Sequence, residues 1–123
     1  MFSIIRNGCH ASKLEVVVPY SKLHVEILRI LLEEGFINNF TVDSEQKPRR
    51  ITVMLKYSKE GEPVIRDIQR VSRSSRRVYV SKDEIPSILN RIGIAILTTS
   101  RGVMTDRDAR RKKIGGEVIG YVY

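Results

Sequence analysis

Three hydroxyl side chains, those of Thr98, Thr99 and Ser100, follow directly on an apolar run and precede Arg101 and Gly102. Hydroxyls donate and accept hydrogen bonds without a fixed charge, so they suit the ribose hydroxyls and base edges in the shallow minor groove of an RNA helix. A glycine here would let the backbone approach such a surface closely. The same residues could form an ordinary turn, but with an arginine beside them we favour an RNA contact.

Positive charge is concentrated in the second half of the chain. Residues 1–62 contain nine Lys or Arg against eight Asp or Glu, whereas residues 63–123 contain thirteen against six. The second half therefore carries +7 of the formal net charge of +8. Binding to a polyanion explains such one-sided charge, because neutralised phosphates release their counterions. The alternative is a basic surface that only improves solubility.

Two groups of basic residues add to this interpretation. Arg77 and Tyr79 alternate along a candidate strand, so we expect them on one face, able to bind a phosphate and stack on a base. A solvated strand face is the alternative. The denser run around Arg111 typically contacts phosphates without reading sequence, although it could be a flexible basic loop. We expect Asp106 and Asp108 to pair with these cations or cap a turn.

The final strand candidate begins close to the hydroxyl segment. Gly115 and Gly116 permit close backbone approach, and Glu117 would then lean toward the loop, where its carboxylate can hold hydroxyls or an amide in place. Tyr121 is expected on the face opposite Val118. The predicted RNA-binding residues are Thr98, Thr99, Ser100, Arg101, Gly102, Tyr79, Arg77, Arg73, Arg110, Arg111, Lys112, Gly116 and Glu117.

Enzymatic and metal sites have no support in the motifs. The chain lacks the phosphate-binding loop, zinc-protease and nucleophile-elbow patterns, and neither His10 nor His24 has a partner at metal-ligand spacing. We therefore predict no catalytic residue, no metal, no cofactor and no small-molecule substrate. The lone Cys9 is typical of a small buried hydrophobe in a reducing compartment. No apolar run approaches the ~18 residues of a membrane span, so we expect no membrane partner.

The elements that must position these residues divide at the turn residues Glu60–Pro63. Ser21 is a good N-cap, and Ser81 with Glu84 forms a capping box. In the first half we predict a helix over 3–11, a strand over 14–18, a helix from Ser21 to Gly35, and strands over 36–42 and 51–57. In the second half we predict strands over 64–71 and 76–80, a helix over 83–91, a strand over 94–99, at most one helical turn within 105–113, and a strand over 117–123.

This order of elements predicts an α+β protein of two small domains. Residues 1–62 would form an α-β-α-β-β layer, with helices on one sheet face. Residues 63–123 would form a mostly β RNA-binding domain with one short helix.

The tail resembles a known protein signature. Residues 98–107, Ala109-Arg110 and residues 115–123 are similar to the C-terminal pattern of the small-subunit ribosomal protein eight family, and the similarity extends over residues 6–123. The resemblance implies a primary binder of the central domain of small-subunit rRNA. It also implies that Thr98, Thr99 and Ser100 meet the RNA minor groove, and that Tyr79 is the family's strand aromatic.

The chain departs from the family pattern at its start, where the first helix is short, and at Ser74-Ser75, which replaces a Pro-Gly turn. The short start favours an organellar ribosome, mitochondrial before plastid, or else a bacterial cytoplasm. We predict a non-enzymatic constituent of the small ribosomal subunit that binds central-domain rRNA, supports its assembly and contacts neighbouring small-subunit proteins. The alternative is a free-standing RNA-binding regulator that represses an mRNA with a similar stem.

Overall fold

The computed structural model describes residues 1–43, 45, 48–89 and 92–123. Within them lie three helices and eight strands, an α+β architecture that confirms the predicted fold class. The chain divides into two compact units, Met1–Arg66 and Asp67–Tyr123. The turn proposed as the boundary lies a few residues before this division. None of the helices in the described part of the chain is both long and apolar enough to cross a bilayer.

Unit 1, Met1–Arg66, is a three-stranded antiparallel sheet with two helices. Its central strand, Arg50–Leu55, pairs with Glu15–Pro19 on one side and with Ile37–Asp43 on the other. Ser21 begins the second helix as predicted, because its Oγ accepts a hydrogen bond from the His24 backbone N–H at 3.0 Å. The elements are α1 (Phe2–His10), β1 (Glu15–Pro19), α2 (Lys22–Glu33), β2 (Ile37–Asp43) and β3 (Arg50–Leu55).

Unit 2, Asp67–Tyr123, is a five-stranded antiparallel sheet with one short helix. Strands run in the order β4-β8-β6-β7, and β5 also pairs with β8. One core cluster of this unit is formed by the buried Ala95, Leu97, Met104, Ala109 and Val118. The elements are β4 (Ile68–Arg70), β5 (Tyr79–Val80), β6 (Ile94–Thr99), β7 (Gly102–Thr105), α3 (Asp106–Lys112) and β8 (Gly116–Val122).

The helix of unit 2 is not where the sequence analysis put it. Of the segment 83–91, the described residues 83–89 contain no helix, although the Ser81 and Glu84 side chains do hydrogen-bond at 3.1 Å. Pro86 disfavours the helical conformation for the residue before it, Ile85, which is the third residue of the predicted helix. The helix forms instead at Asp106–Lys112, where at most one turn was expected, and Thr105 caps it by accepting from the Asp108 N–H at 3.2 Å.

A bulge in β8 changes which side chains share a face. Leu97 pairs with Val118 and Ile96 with Gly120, so Ile119 is an extra residue between them. Because Ala95 pairs with Tyr121, the Tyr121 side chain lies on the same face as Val118. The prediction that Tyr121 faces away from Val118 was therefore wrong, because strict alternation does not survive an inserted residue.

Candidate nucleic-acid interface

Three predicted binding residues lie side by side across neighbouring strands of unit 2. Tyr79 on β5 is opposite Glu117 on β8, and Glu117 is in turn opposite Thr98 on β6. Residues directly opposite one another in antiparallel strands share a face. We call this line the Tyr79–Glu117–Thr98 row. Tyr79 is 69% exposed, so its ring is available to a ligand.

Arg77 is attached to this row by an ion pair. Its Nη1 donates to Glu117 Oε2 at 3.1 Å. The Glu117 side chain is only 12% exposed whereas that of Arg77 is 53% exposed. The sequence analysis gave the carboxylate the task of holding hydroxyls or an amide, but in the described structure its partner is this guanidinium. The pair therefore holds a cation on Glu117, the residue that stands opposite the exposed Tyr79.

The hydroxyl segment is a tight hairpin between β6 and β7. Thr99 pairs with Gly102, so Ser100 and Arg101 form a two-residue turn. Thr99 Oγ1 donates to the Gly102 carbonyl oxygen at 2.9 Å and accepts from the Arg101 N–H at 3.1 Å. Gly102 has φ of +107°, a conformation that favours glycine. The Thr99 proton is therefore used within the hairpin, and Ser100 is exposed at its tip.

Thr98 differs from the other two hydroxyl residues. Its Oγ1 is buried and has no hydrogen-bond partner in the part of the chain that the structure describes. A buried polar atom left without a partner costs about 1–3 kcal/mol. The sequence analysis treated the three hydroxyls alike. The structure separates them into an orphan at Thr98, a turn lock at Thr99 and an exposed tip at Ser100.

The start of β8 lies against this segment. A Cβ on Gly116 would lie 2.3 Å from the Thr98 carbonyl oxygen, a distance that only glycine avoids. The following residue is Glu117, so the close approach brings the carboxylate into the row. Gly116 therefore acts through packing, and its absent side chain is its contribution to the site.

The basic residues of α3 fall into two kinds. Arg110 Nη2 pairs with the buried Asp106 carboxylate at 2.8 Å, and its Nη1 donates to the Pro86 carbonyl oxygen at 3.0 Å. Its side chain is 26% exposed, so its charge is largely committed within unit 2. Arg111 is 74% exposed and pairs with Asp108 at 2.7 Å. Lys112 is exposed as well.

The C-terminal end of α3 is near the row by connectivity. Lys112 and Gly116 are four positions apart in the chain, a reach of at most about 14 Å. Gly116 in turn contacts Thr98. The exposed cations Arg111 and Lys112 are therefore tethered within a short reach of the strand that adjoins the hairpin.

Arg73 lies in a second small turn of unit 2. Arg73 and Arg76 exchange backbone hydrogen bonds at 2.9 Å around Ser74-Ser75, the positions where the family pattern has Pro-Gly. Both arginines are exposed. The buried Ser72 links this turn to the residue before β5, because its Oγ accepts a hydrogen bond from the Val78 N–H at 2.8 Å. Sequence reasoning missed Ser72, since one serine in a polar stretch carries no burial signal.

Other chemistry is not apparent in the described residues. They contain no group of three or more His, Cys, Asp or Glu placed to hold a metal ion. Burial raises the pKa of the Cys9 thiol, which keeps it protonated and poorly reactive.

Asp106 accepts a hydrogen bond from the Ala95 N–H at 3.2 Å and pairs with Arg110. That contact fits the expectation that it would pair with a cation.

Comparison with known proteins places the chain in a family. A family model described as ribosomal protein S8 matches residues 1–123. Small ribosomal subunit protein uS8 of Pseudoalteromonas atlantica is 52% identical over 122 residues, covering 99% of this chain and 92% of the relative. The protein of that name from Thermodesulfovibrio yellowstonii is 48% identical over 123 residues, covering 100% and 94%. These relatives are bacterial, and they do not support the expected preference for an organelle. The chain belongs to the ribosomal protein S8 family.

Proposed function

We propose that this protein is a structural, non-enzymatic component of the small ribosomal subunit and that it binds the central domain of the small-subunit rRNA. The curated relatives are named as small ribosomal subunit proteins, which supports the ribosomal role. The surface of unit 2 supports the RNA target and the residues that read it.

The observation that carries the proposal is the Tyr79–Glu117–Thr98 row with Arg77 attached to it. An exposed aromatic ring beside a held guanidinium can stack on a base or ribose while the cation neutralises a phosphate. The row adjoins the hairpin whose tip presents the Ser100 hydroxyl. A single surface thus offers stacking, charge and a neutral donor.

The unpartnered hydroxyl of Thr98 supports the same surface. Buried polar atoms in folded proteins nearly always have partners, so this hydroxyl needs a partner from outside the chain, such as a water, an ion or a ligand group. The hydroxyl lies in the row, between Glu117 and Val103 in the strand register. We assign Thr98 and Ser100 to reading, Thr99 to holding the turn, and Arg101, Arg111 and Lys112 to phosphate contacts.

Salt dependence tests the electrostatic part. If the protein neutralises about six phosphates, log affinity for a central-domain rRNA fragment should fall with log salt at a slope of roughly −4 to −5. Changing Arg111 and Lys112 to Ala should lower the affinity for this fragment and for an unrelated RNA stem alike. Changing Ser100 to Ala should weaken mainly the central-domain fragment. A slope near zero, or equal losses on both RNAs for Ser100→Ala, contradicts the assignment.

Sedimentation separates the proposal from the alternative regulatory role. A subunit component should remain with small ribosomal subunits through a sucrose gradient at moderate salt. A free-standing translational regulator would instead sediment near the top of the gradient. A tagged Tyr79→Ala variant provides the matched control, because a protein held by this surface should dissociate at lower salt than the wild type.

A further inference from the structure

A cation–aromatic pair lies in unit 1 and includes none of the residues assigned to the proposed RNA surface. Arg49 Cζ lies over the ring of Tyr20, 5.5 Å from its centroid. The Tyr20 N–H also donates to the Arg49 carbonyl oxygen at 3.2 Å. Tyr20 is 38% exposed and Arg49 is exposed. The ring and the backbone bond together restrain an arginine that solvent can reach.

Arg49 is chemically available to an anion. Among the described residues it has no ion-pair partner, and its side chain is exposed. A guanidinium that stacks on an aromatic ring still presents N–H donors at its edge, in a fork that matches phosphate oxygens. Restraint by the ring also lowers the entropy that Arg49 loses when it binds.

A groove adjoins the pair. It has a volume of about 310 Å³, and its lining includes Ile4, Val17, Pro19 and Pro48 together with Arg49 and Arg50. That volume is at the lower end of the ~300–1,000 Å³ typical of ligand clefts. The groove therefore combines an apolar floor, suited to a ribose or a base, with a cationic rim suited to a phosphate.

We propose that this groove is a second RNA contact of the protein. Arg49, restrained by Tyr20, binds a backbone phosphate, Arg50 adds charge beside it, and the adjoining sugar or base packs on the apolar floor. The inference rests on the proposed function for the class of partner, RNA. An acidic peptide would satisfy the arginines but leave the apolar floor without a matching group, so a nucleotide fits the groove better.

An NMR titration of the full-length ¹⁵N-labelled protein tests the proposal. Hexauridylate is the probe, and hexaglutamate is the control anion of similar charge. We expect hexauridylate to shift the Tyr20 amide and Arg49 Nε–H resonances more than hexaglutamate does. No shift of these resonances, or an equal or larger shift with hexaglutamate, overturns the inference. Separately, binding of the central-domain fragment through Tyr79 and Ser100 tests the proposed function, so the two failures are distinguishable.

Variants sharpen the result. Tyr20→Leu removes the ring and Arg49→Gln removes the charge. Each variant should lower the affinity for hexauridylate about two- to fivefold. Tyr20→Phe keeps the ring, and Arg29→Gln removes an exposed charge from α2 of the same unit. Both should bind within experimental error of the wild type. Equal weakening by Arg29→Gln and Arg49→Gln would mean general electrostatics and would overturn a defined site.

Discussion

Arg77 donates to the nearly buried carboxylate of Glu117 at 3.1 Å, and Glu117 stands opposite the exposed Tyr79 in the strand pairing. An ion pair with one exposed partner contributes less than about 1 kcal/mol to folding. The pair also fixes the orientation of Arg77, because this long side chain has several rotatable bonds that would otherwise be free. The pair holds the guanidinium on the surface proposed to meet RNA.

Glu117→Gln should therefore separate binding from stability. We expect affinity for the central-domain fragment to fall about five- to tenfold, since Arg77 loses its anchor, while the thermal midpoint shifts by only a few degrees. Fluorescence anisotropy and thermal denaturation measure the two quantities. If the midpoint drops by many degrees and affinity measured well below it is intact, Glu117 is a structural residue only.

Thr98→Val should damage RNA binding without weakening the fold. The substitution replaces a buried, unpartnered hydroxyl with a methyl group of similar size, so the free energy of unfolding should be unchanged or rise by about 1 kcal/mol. Affinity for the central-domain fragment should fall by about 1–3 kcal/mol. Thr98→Ser keeps the hydroxyl and is the control. Equal RNA affinities for the two variants would remove Thr98 from the reading surface.

Thr99→Val should mainly lower the stability of the fold. It removes the hydroxyl that bonds both Gly102 and Arg101, so the free energy of unfolding should fall by about 1–2 kcal/mol. Urea denaturation measures this change, and Thr99→Ser should retain most of the stability. A midpoint for Thr99→Val equal to that of the wild type would contradict the turn-locking role.

Two neighbouring arginines of α3 should behave differently. Arg110→Gln leaves the buried Asp106 carboxylate without its partner and should cost about 3 kcal/mol of stability. Arg111→Gln should cost less than about 1 kcal/mol but make the salt slope of RNA binding shallower by about 0.7. Denaturation and salt titration of both variants check this. Matching stability losses would show that the two arginines are equally structural.

Stability at alkaline pH should depend on the protonation of the buried Cys9 thiol. Burial raises the pKa of its thiol above the ordinary value that it has in the unfolded chain. The folded chain then holds this proton more tightly, so the associated stability is fully present below that value and is lost as pH rises through the raised pKa. Urea midpoints measured at increasing pH should decline less in Cys9→Val than in the wild type. Rapid reaction of the native thiol with a disulfide reagent near neutral pH would contradict this burial.

Local sequence signals were sufficient for much of the architecture. The apolar periodicity of α2, its Ser21 cap and the buried run Ile94–Leu97 specify their elements through neighbours in the chain. The signature tail likewise indicated the ribosomal family, which the comparisons confirm. Each of these features is encoded within a few residues, so no tertiary contact was needed to find it.

Only the tertiary structure decided which polar groups are free. The bulge at Ile119 reverses the face of Tyr121, Arg110 turns inward to Asp106, and the hydroxyls of Thr98 and Thr99 have different surroundings. Strand register and side-chain partners come from residues distant in sequence, and composition does not record them. The sequence determined that this protein carries hydroxyls and arginines suited to RNA. Folding determined which of them a ligand can reach, because burial and hydrogen bonding depend on the assembled sheet.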